Sequence, residues 1–384
     1  MIIYQSAITL ILFVLFLIAT WNIYLLRKRK IKTTEGSKLP LVSILVPARN
    51  EEINIRGCIS SLLEQDYPNY EVIVLNDSSE DKTGEILNEI QAGYPKLKII
   101  QGKPLAEGWT GKTYACKQLA EEAKGSWLLF TDADTRHTPS SLRGAMYIAL
   151  DRNADLLSVF PKMTMKTFSE KLIMPMLFFT WFVLLPHYFI DKKGYKKFAV
   201  GVGPFMLFKR YAYDKIGGHA SVKNAIVEDV WLSRKIKEHG LKLAASDGQN
   251  LCSVRMYRNF KEIWNGFSKN IFAGLNFSAP SLFTVNFMYL ILFFLPFIFL
   301  IIYTVSNYQT QTMTVLTLIQ VIILYLIRIL LAIKFRLGFV STLLHPLGAL
   351  TVPVIAFNSW RWIAAGKGAK WKGRIYQTKT SSKL

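Results

Sequence analysis

The stretch LLFTDADT, residues 128–135, decides the fold. Residues 127–130 are Trp, Leu, Leu and Phe, and Thr131 leads into Asp132-Ala133-Asp134. A short apolar run of this kind reads as a buried strand. Carboxylates at the end of such a strand carry a desolvation cost unless something compensates them. Working outward, LVSILVP (41–47), EVIVLND (71–77) and KLKII (96–100) read as three further strands, and SWLLFTD (126–132) as the fourth. Helical segments over 50–64, 83–90 and 112–123 separate them. Apolar runs alternating with helices imply βαβ units, an α/β class and a mostly parallel, Rossmann-like sheet. In open sheets of this type, ligands bind beyond the carboxyl ends of the strands. The first, second and fourth strands end in Arg49-Asn50-Glu51, Asn76-Asp77-Ser78 and Asp132-Ala133-Asp134, three polar clusters that outline one site.

The chain has 384 residues, a formal net charge of +21 and 51% hydrophobic residues. Residues 1–26 and 270–327 carry no charge, whereas 41–259 is mixed and suits a soluble α/β domain. The uncharged runs reach the roughly 20 residues that cross a bilayer as a helix. Arg27-Lys28-Arg29-Lys30 follows the first run. A cleavable signal peptide has its positive charges before the apolar core, so the reversed order predicts a retained anchor. The positive-inside tendency then places the N-terminus outside and the middle domain in the cytoplasm of a multi-pass cell-membrane protein. A buried core helix is the plain alternative, disfavoured by the membrane-length runs in the tail. Cys58, Cys116 and Cys252 are odd in number and lack metal-ligand spacing, which suits a reducing compartment. No acidic residue follows Glu262, while Arg361, Lys367, Lys370, Lys372, Arg374, Lys379 and Lys383 crowd the end. Beside membrane spans, that charge fits the anionic leaflet better than nucleic acid, which is not expected as a partner.

Residues 282–305 and 312–332 read as a helical hairpin with Lys334 and Arg336 after it. Residues 339–357, with His345, Pro346 and Pro353, form a third span or re-enter, and the basic tail favours re-entry. Arg328 either snorkels to the interface or meets an anionic acceptor group. The apolar segment 172–190, interrupted by Pro175 and Pro186, reads as interfacial, with a buried core helix as the alternative. The expected domains are therefore a transmembrane anchor (1–27), a cytoplasmic catalytic domain (38–270), C-terminal transmembrane helices (280–360) and a basic cytoplasmic tail (361–384).

Two carboxylates one residue apart at a strand end suit a divalent cation shared with a phosphate, so Asp132 and Asp134 are the candidate Mg²⁺ or Mn²⁺ ligands. A solvated turn is the bland alternative. PARNEE (47–52) opens a helix, whose N-terminus attracts anions, and Arg49 adds a donor fork. Glu51 and Glu52 also complement the helix dipole. Asp77 suits a base or ribose, while Ser78 and Ser79 suit a cap. GWTGKT (108–113) resembles the end of a phosphate-binding loop, but Ala106 stands where that motif requires glycine. An NTPase is excluded on that ground, and Lys112 stays a candidate for holding a diphosphate. In VEDVWLSRKIKEHG (227–240), Glu228 suits dipole compensation and Asp229 is the candidate general base. In RMYRNFKEIWNG (255–266), Arg255 and Arg258 suit a departing diphosphate, and Tyr257 and Trp264 an acceptor path. Amphipathic packing is the alternative there.

PARNEE, NDSS, GWTGK, TDAD and VED, in this order, resemble family-2 glycosyltransferases from Pro47 to about Gly266. The resemblance implies a GT-A fold, a nucleotide-diphosphate sugar donor (UDP-sugar), a divalent metal at the D-x-D pair and an inverting displacement. It further implies that Pro47, Arg49, Glu51 and Asp77 contact the nucleoside. Asp132 and Asp134 would hold ribose, metal and diphosphate, and Asp229 would be the base. Processive synthases of the family carry a Gln-x-x-Arg-Trp motif; here the region reads Arg255-Met256-Tyr257-Arg258, which argues against a polymerase. One N-terminal anchor, GWTGK and WKGRIY (371–376) look more like the carotenoid-pathway members, of the diaponeurosporenoate and hydroxychlorobactene type. That likeness implies transfer of one hexose, glucose, to a lipid or carotenoid-type terpenoid. The alternatives are a glycolipid or polysaccharide synthase, and a non-catalytic lipid-binding protein with the same fold.

Overall fold

The computed structural model describes residues 1–26, 39–94, 97–305, 311–365, 369–371 and 374–376. The basic run 27–30, Lys367, Lys372, Lys379, Lys383 and part of WKGRIY lie outside the described residues. The chain divides into two compact units. One comprises Arg27–Thr164 and Tyr188–Met256; the other comprises Met1–Leu26, Met165–His187 and Tyr257–Leu384.

Among its described residues the first unit is built on eight strands: β1 (Val42–Ala48), β2 (Tyr70–Asn76), β3 (Leu97–Gln101), β4 (Trp127–Phe130), β5 (Thr135–His137), β6 (Leu156–Met163), β7 (Met206–Lys209) and β8 (Leu243–Val254). Their order is β3-β2-β1-β4-β7-β6-β8-β5. The pairs β3-β2, β2-β1, β1-β4 and β6-β8 are parallel, and β4-β7, β7-β6 and β8-β5 antiparallel. β1 and β2 are buried over most of their length, because helices cover both faces of a parallel sheet. In register, Ala48 pairs with Asn76 and Leu45 with Phe130, so the polar clusters after β2, β1 and β4 emerge at one edge. The core joins Ile44, Val46, Val74 and Leu129 to Ile59 and Leu62 of the helix Ile55–Leu63 and Ala145 of the helix Ser141–Asp151. That first helix begins five residues later than the sequence suggests. Asn50 adopts a left-handed φ of 51°, and residues 51–54 form a turn instead.

Among the described residues of the second unit, three helices are long and apolar enough to cross a membrane: Ile2–Leu25, Ala279–Val305 and Gln311–Phe335. Leu10, Phe13, Leu17 and Trp21 stay exposed along the first, an apolar surface that water does not favour. Its buried Asn22 is satisfied: Nδ2 donates to the carbonyls of Phe182 and Leu185, and Oδ1 accepts from His187 N–H at 2.7 Å. Those partners belong to the 172–190 segment, which folds as short helices Phe168–Ile173 and Pro175–Leu184. Phe178, Phe179 and Phe182 are fully buried there, with Phe178 and Phe182 against Phe335 and Phe179 against Phe293. Residues 339–357 fall in two helices, Phe339–Leu343 and His345–Ala364, the latter with Pro353 inside.

Candidate active site

The loops after β1 and β2 are stitched together by backbone N–H groups that donate to side-chain oxygens across the pair. Asn50 N–H donates to Ser79 Oγ, and Glu80 N–H returns a bond to Asn50 Oδ1 at 2.9 Å. Glu51 N–H donates to Thr83 Oγ1, and Asn54 Nδ2 to Glu51 Oε2. Asn50 and Ser78, both at φ 51°, hold left-handed conformations rare for non-glycine residues. Buried Arg49 spans the pair: Nη1 donates to the carbonyls of Asp77 (2.6 Å) and Ser78 (2.9 Å), and Nη2 reaches Glu80 at 3.2 Å. Asp77 is also buried, and Pro47 sits in β1 opposite Leu75. Arg49 thus fixes the shape of this cleft through backbone carbonyls.

The D-x-D turn lies between β4 and β5. Thr135 N–H closes it onto the Asp132 carbonyl at 3.1 Å. Behind it, buried His137 lies between Thr131 Oγ1 (2.9 Å) and Ser141 Oγ (3.1 Å), and burial pulls its pKa down to about 3. It is a neutral strut. Lys112, just inside the helix Gly111–Glu122, reaches Asp132 Oδ1 at 2.6 Å and Glu228 Oε1 at 2.8 Å. Burial alone would lower its pKa; Asp132 and Glu228 outweigh that and hold it well above the usual lysine value. Thr110 caps this helix, and the Lys223 carbonyl accepts from Thr110 N–H (2.8 Å) and Thr113 Oγ1 (2.6 Å). This brings the segment ahead of Glu228 beside Lys112.

Asp229 opens the helix Glu228–Glu238. Its Oδ2 accepts from Gly203 N–H at 3.0 Å and its Oδ1 from Val230 N–H at 2.8 Å. Gly203 stands between the acids: a Cβ there would lie 3.2 Å from Asp132 Oδ2, 3.2 Å from Lys112 Nζ and 3.5 Å from Asp229 Oδ2. At Gly201 a Cβ would meet the Asp229 carbonyl oxygen at 2.1 Å. Position 201 therefore needs glycine to lie this close, and Gly203 leaves the side-chain ends of Asp132, Lys112 and Asp229 room to meet. Sequence reading missed both residues; the only signal was a Gly-Val-Gly-Pro run ahead of β7.

Asp132, Asp134, Asp229, Glu228 and Lys112 thus form one cluster. Burial, then the charges of Asp132 and Glu51, pushes Asp134 up to about 7 against the pull of Lys112. Burial, then Glu228, pushes Asp229 up to about 7 against Lys112 and the two N–H donors. Asp134 Oδ1 is buried with no hydrogen-bond partner. An orphaned carboxylate oxygen one residue from Asp132 fits a hard divalent cation, whose charge would offset the desolvation. Arg255 follows β8 directly after Val254, the register partner of Thr135, and so lies close to the turn in the sheet. Tyr257, Arg258 and Trp264 fall in the other unit. There Tyr257 packs on Phe267 and Trp264 on Phe260, and Arg258 N–H caps onto Glu262 at 2.8 Å.

Residues 43–217 match the model of glycosyl transferase family 2. The 4,4'-diaponeurosporenoate glycosyltransferase of Staphylococcus aureus (strain N315) is 26% identical over 358 residues, covering 91% of this chain and 92% of the relative. Its counterpart in strain USA300 is 26% identical over 342 residues, covering 87% and 88%. Among solved structures, the mannosyltransferase PcManGT from Pyrobaculum calidifontis, in complex with GDP-Man and Mn²⁺, superposes with a TM-score of 0.54 at 15% identity. That superposition covers 94% of this chain and 98% of the other, and shows a common fold. With its mixed sheet and acidic edge, the chain is a glycosyltransferase of GT-A fold, and its residues 43–217 are similar to glycosyl transferase family 2.

Proposed function

We propose that this enzyme transfers one hexose, glucose, from a UDP-sugar to a carotenoid-type terpenoid in the cell membrane, with inversion and with Mg²⁺ or Mn²⁺ at Asp134 and Asp132. The apolar helices span the bilayer in this reading, and the catalytic domain and basic tail face the cytoplasm. The observation that carries the reading is the acidic cluster: a buried, unpartnered Asp134 oxygen beside Asp132, with Asp229 across Gly203. The acceptor class rests on the names of the relatives and on the apolar helices, where a terpenoid would partition.

Each residue then has a task. The cleft fixed by Arg49, with Pro47, Glu51 and Asp77, receives the nucleoside. A divalent cation bound at Asp134 and Asp132 would neutralise charge on the departing UDP. Lys112 exchanges one of its carboxylate partners for diphosphate oxygens, and Arg255 adds positive charge near the same turn. Asp229 takes the proton of a hydroxyl acceptor as its oxygen attacks the anomeric carbon. Its raised pKa suits proton transfer near neutral pH, and Gly203 N–H aims Oδ2. A carboxylic acid acceptor, with an ordinary pKa of about 4, arrives ionised and needs no such base.

Product analysis tests the reading. Membranes holding the enzyme, given UDP-glucose, Mn²⁺ and a carotenoid acid or alcohol, should yield a mono-glucosylated carotenoid of β-configuration. A polymeric product would instead establish a polysaccharide synthase, and a retained α-linkage would exclude the inverting step.

A further inference from the structure

Arg328 lies in the helix Gln311–Phe335, two turns before its end and about 10 Å from it along the axis. Its side chain is 1% exposed, so it does not snorkel out. Nη1 donates to the Pro175 carbonyl at 3.3 Å and Nη2 to the Ser341 carbonyl at 2.6 Å, both neutral acceptors. Nε is buried and has no partner among the described residues. In the sequence of this unit, Glu170 and Glu262 are the only acidic residues. Glu170 accepts from the N–H groups of Lys166 and Thr167, and Glu262 from Arg258 N–H and Asn259 Nδ2. No carboxylate among the described residues faces Arg328.

Its neighbours are unsatisfied as well. His345 is fully buried, within electrostatic reach of Arg328, with its ring against Phe179 at 5.0 Å. Neither of its ring nitrogens has a partner among the described residues. Thr342, beside Ser341 and 4% exposed, leaves Oγ1 unpartnered. Arg328 Nε–H, an imidazole N–H and a threonine hydroxyl are all donors. Thr342 and His345 flank the start of the helix His345–Ala364, where a helix favours negative charge, and Arg328 is tied to that segment through the Ser341 carbonyl. A histidine retained only for packing would be better replaced by phenylalanine, because orphaned polar atoms in an apolar bundle cost free energy. An oxyanion supplies both the missing acceptors and the missing charge.

We propose that Arg328, His345 and Thr342 form an oxyanion-binding site inside the apolar bundle, for the carboxylate or phosphate head of an amphiphile whose chain lies along the helices. The site does not depend on the sugar-transfer reading, because its test needs no donor.

The test uses the full-length chain in a neutral detergent and two pairs of probes that differ in charge: retinoate with retinol, and phosphatidic acid with diacylglycerol. Tryptophan quenching reads the first pair and thermal shift the second. At least one anionic probe should bind about tenfold or more tightly than its neutral partner. Preference for retinoate identifies a carboxylate head, and preference for phosphatidic acid a phosphate head. Arg328→Met should abolish the preference, and Thr342→Val, which only exchanges a hydroxyl for a methyl, should reduce it. Equal binding of charged and neutral probes by the wild type overturns the proposal. So does a folded Arg328→Met that keeps the preference. If Arg328→Met does not fold, an unchanged preference in Thr342→Val overturns it instead.

Discussion

Replacing Asp134 by asparagine keeps the shape of the side chain and removes its charge. In the folded chain, burial, Asp132 and Glu51 push this carboxyl from 3.8 up to about 7. At about 1.4 kcal/mol for each tenfold change in protonation, ionising Asp134 at pH 8 costs the cation-free fold up to about 4 kcal/mol. The residue keeps some solvent exposure, which reduces this to about 2–3 kcal/mol. A carboxyl with a raised folded pKa binds its proton more tightly when folded, so its contribution to stability falls as pH rises from 3.8 to about 7. Asp134→Asn should therefore stabilise the protein at pH 8 in chelator by about 2–3 kcal/mol, and by less than half of that at pH 5. For a domain of this size the gain at pH 8 is about 5–10 °C in Tm. Thermal unfolding in detergent with EDTA at both pH values measures it. Added Mn²⁺ should then raise the Tm of the wild type and leave that of the variant unchanged, and transfer activity should be lost. A variant no more stable than the wild type at pH 8, or one with the same gain at both pH values, refutes the reasoning.

With a hydroxyl acceptor, Asp229→Asn should lower kcat by about 10²–10⁴-fold, the range of general base catalysis, and with a carboxylate acceptor by much less; kinetics with both acceptors decide this. With a hydroxyl acceptor, kcat/KM should rise with pH and level off above about 7 as Asp229 ionises. Glu228 raises the Asp229 pKa and Lys112 lowers it, so Glu228→Gln should move that limb to lower pH and Lys112→Met to higher pH. Gly201→Ala places a methyl 2.1 Å from the Asp229 carbonyl and should cost about 2–4 kcal/mol of stability in denaturant unfolding. Gly203→Ala, whose nearest contacts are 3.2 Å away, should leave stability within about 1 kcal/mol while lowering kcat.

The parallel half of the sheet was legible because its strands are continuous apolar runs that stop at polar clusters, a pattern that parallel burial imposes. β7 and β5 were not, since four- and three-residue strands take their identity from distant partners: Phe130 for Met206 and Val254 for Thr135. The helix expected from residue 50 begins at Ile55, because Asn50 holds a left-handed φ and the N–H groups of Glu51 and Glu52 donate across to Thr83 and Asp81. In the site, Asp132, Asp134 and Asp229 could be picked out by residue type and position. The Lys112–Glu228 pair and the approach of Gly203 to Asp229 join residues 116 and 26 positions apart, which no local pattern encodes. Arg328 stood out in the sequence as a charge in an apolar run. Its burial against Pro175 and Ser341 depends on how the helices pack.

The central claim is that the acidic cluster transfers sugar to a lipid-soluble acceptor. Its most direct test incubates membranes containing the chain with labelled UDP-glucose, Mg²⁺ or Mn²⁺ and a carotenoid acid or alcohol, beside an Asp132→Ala control, and counts label in the organic extract. The account predicts label in a single small glycolipid that disappears in the control. Label confined to an aqueous polymer, or organic label that survives Asp132→Ala, would contradict it.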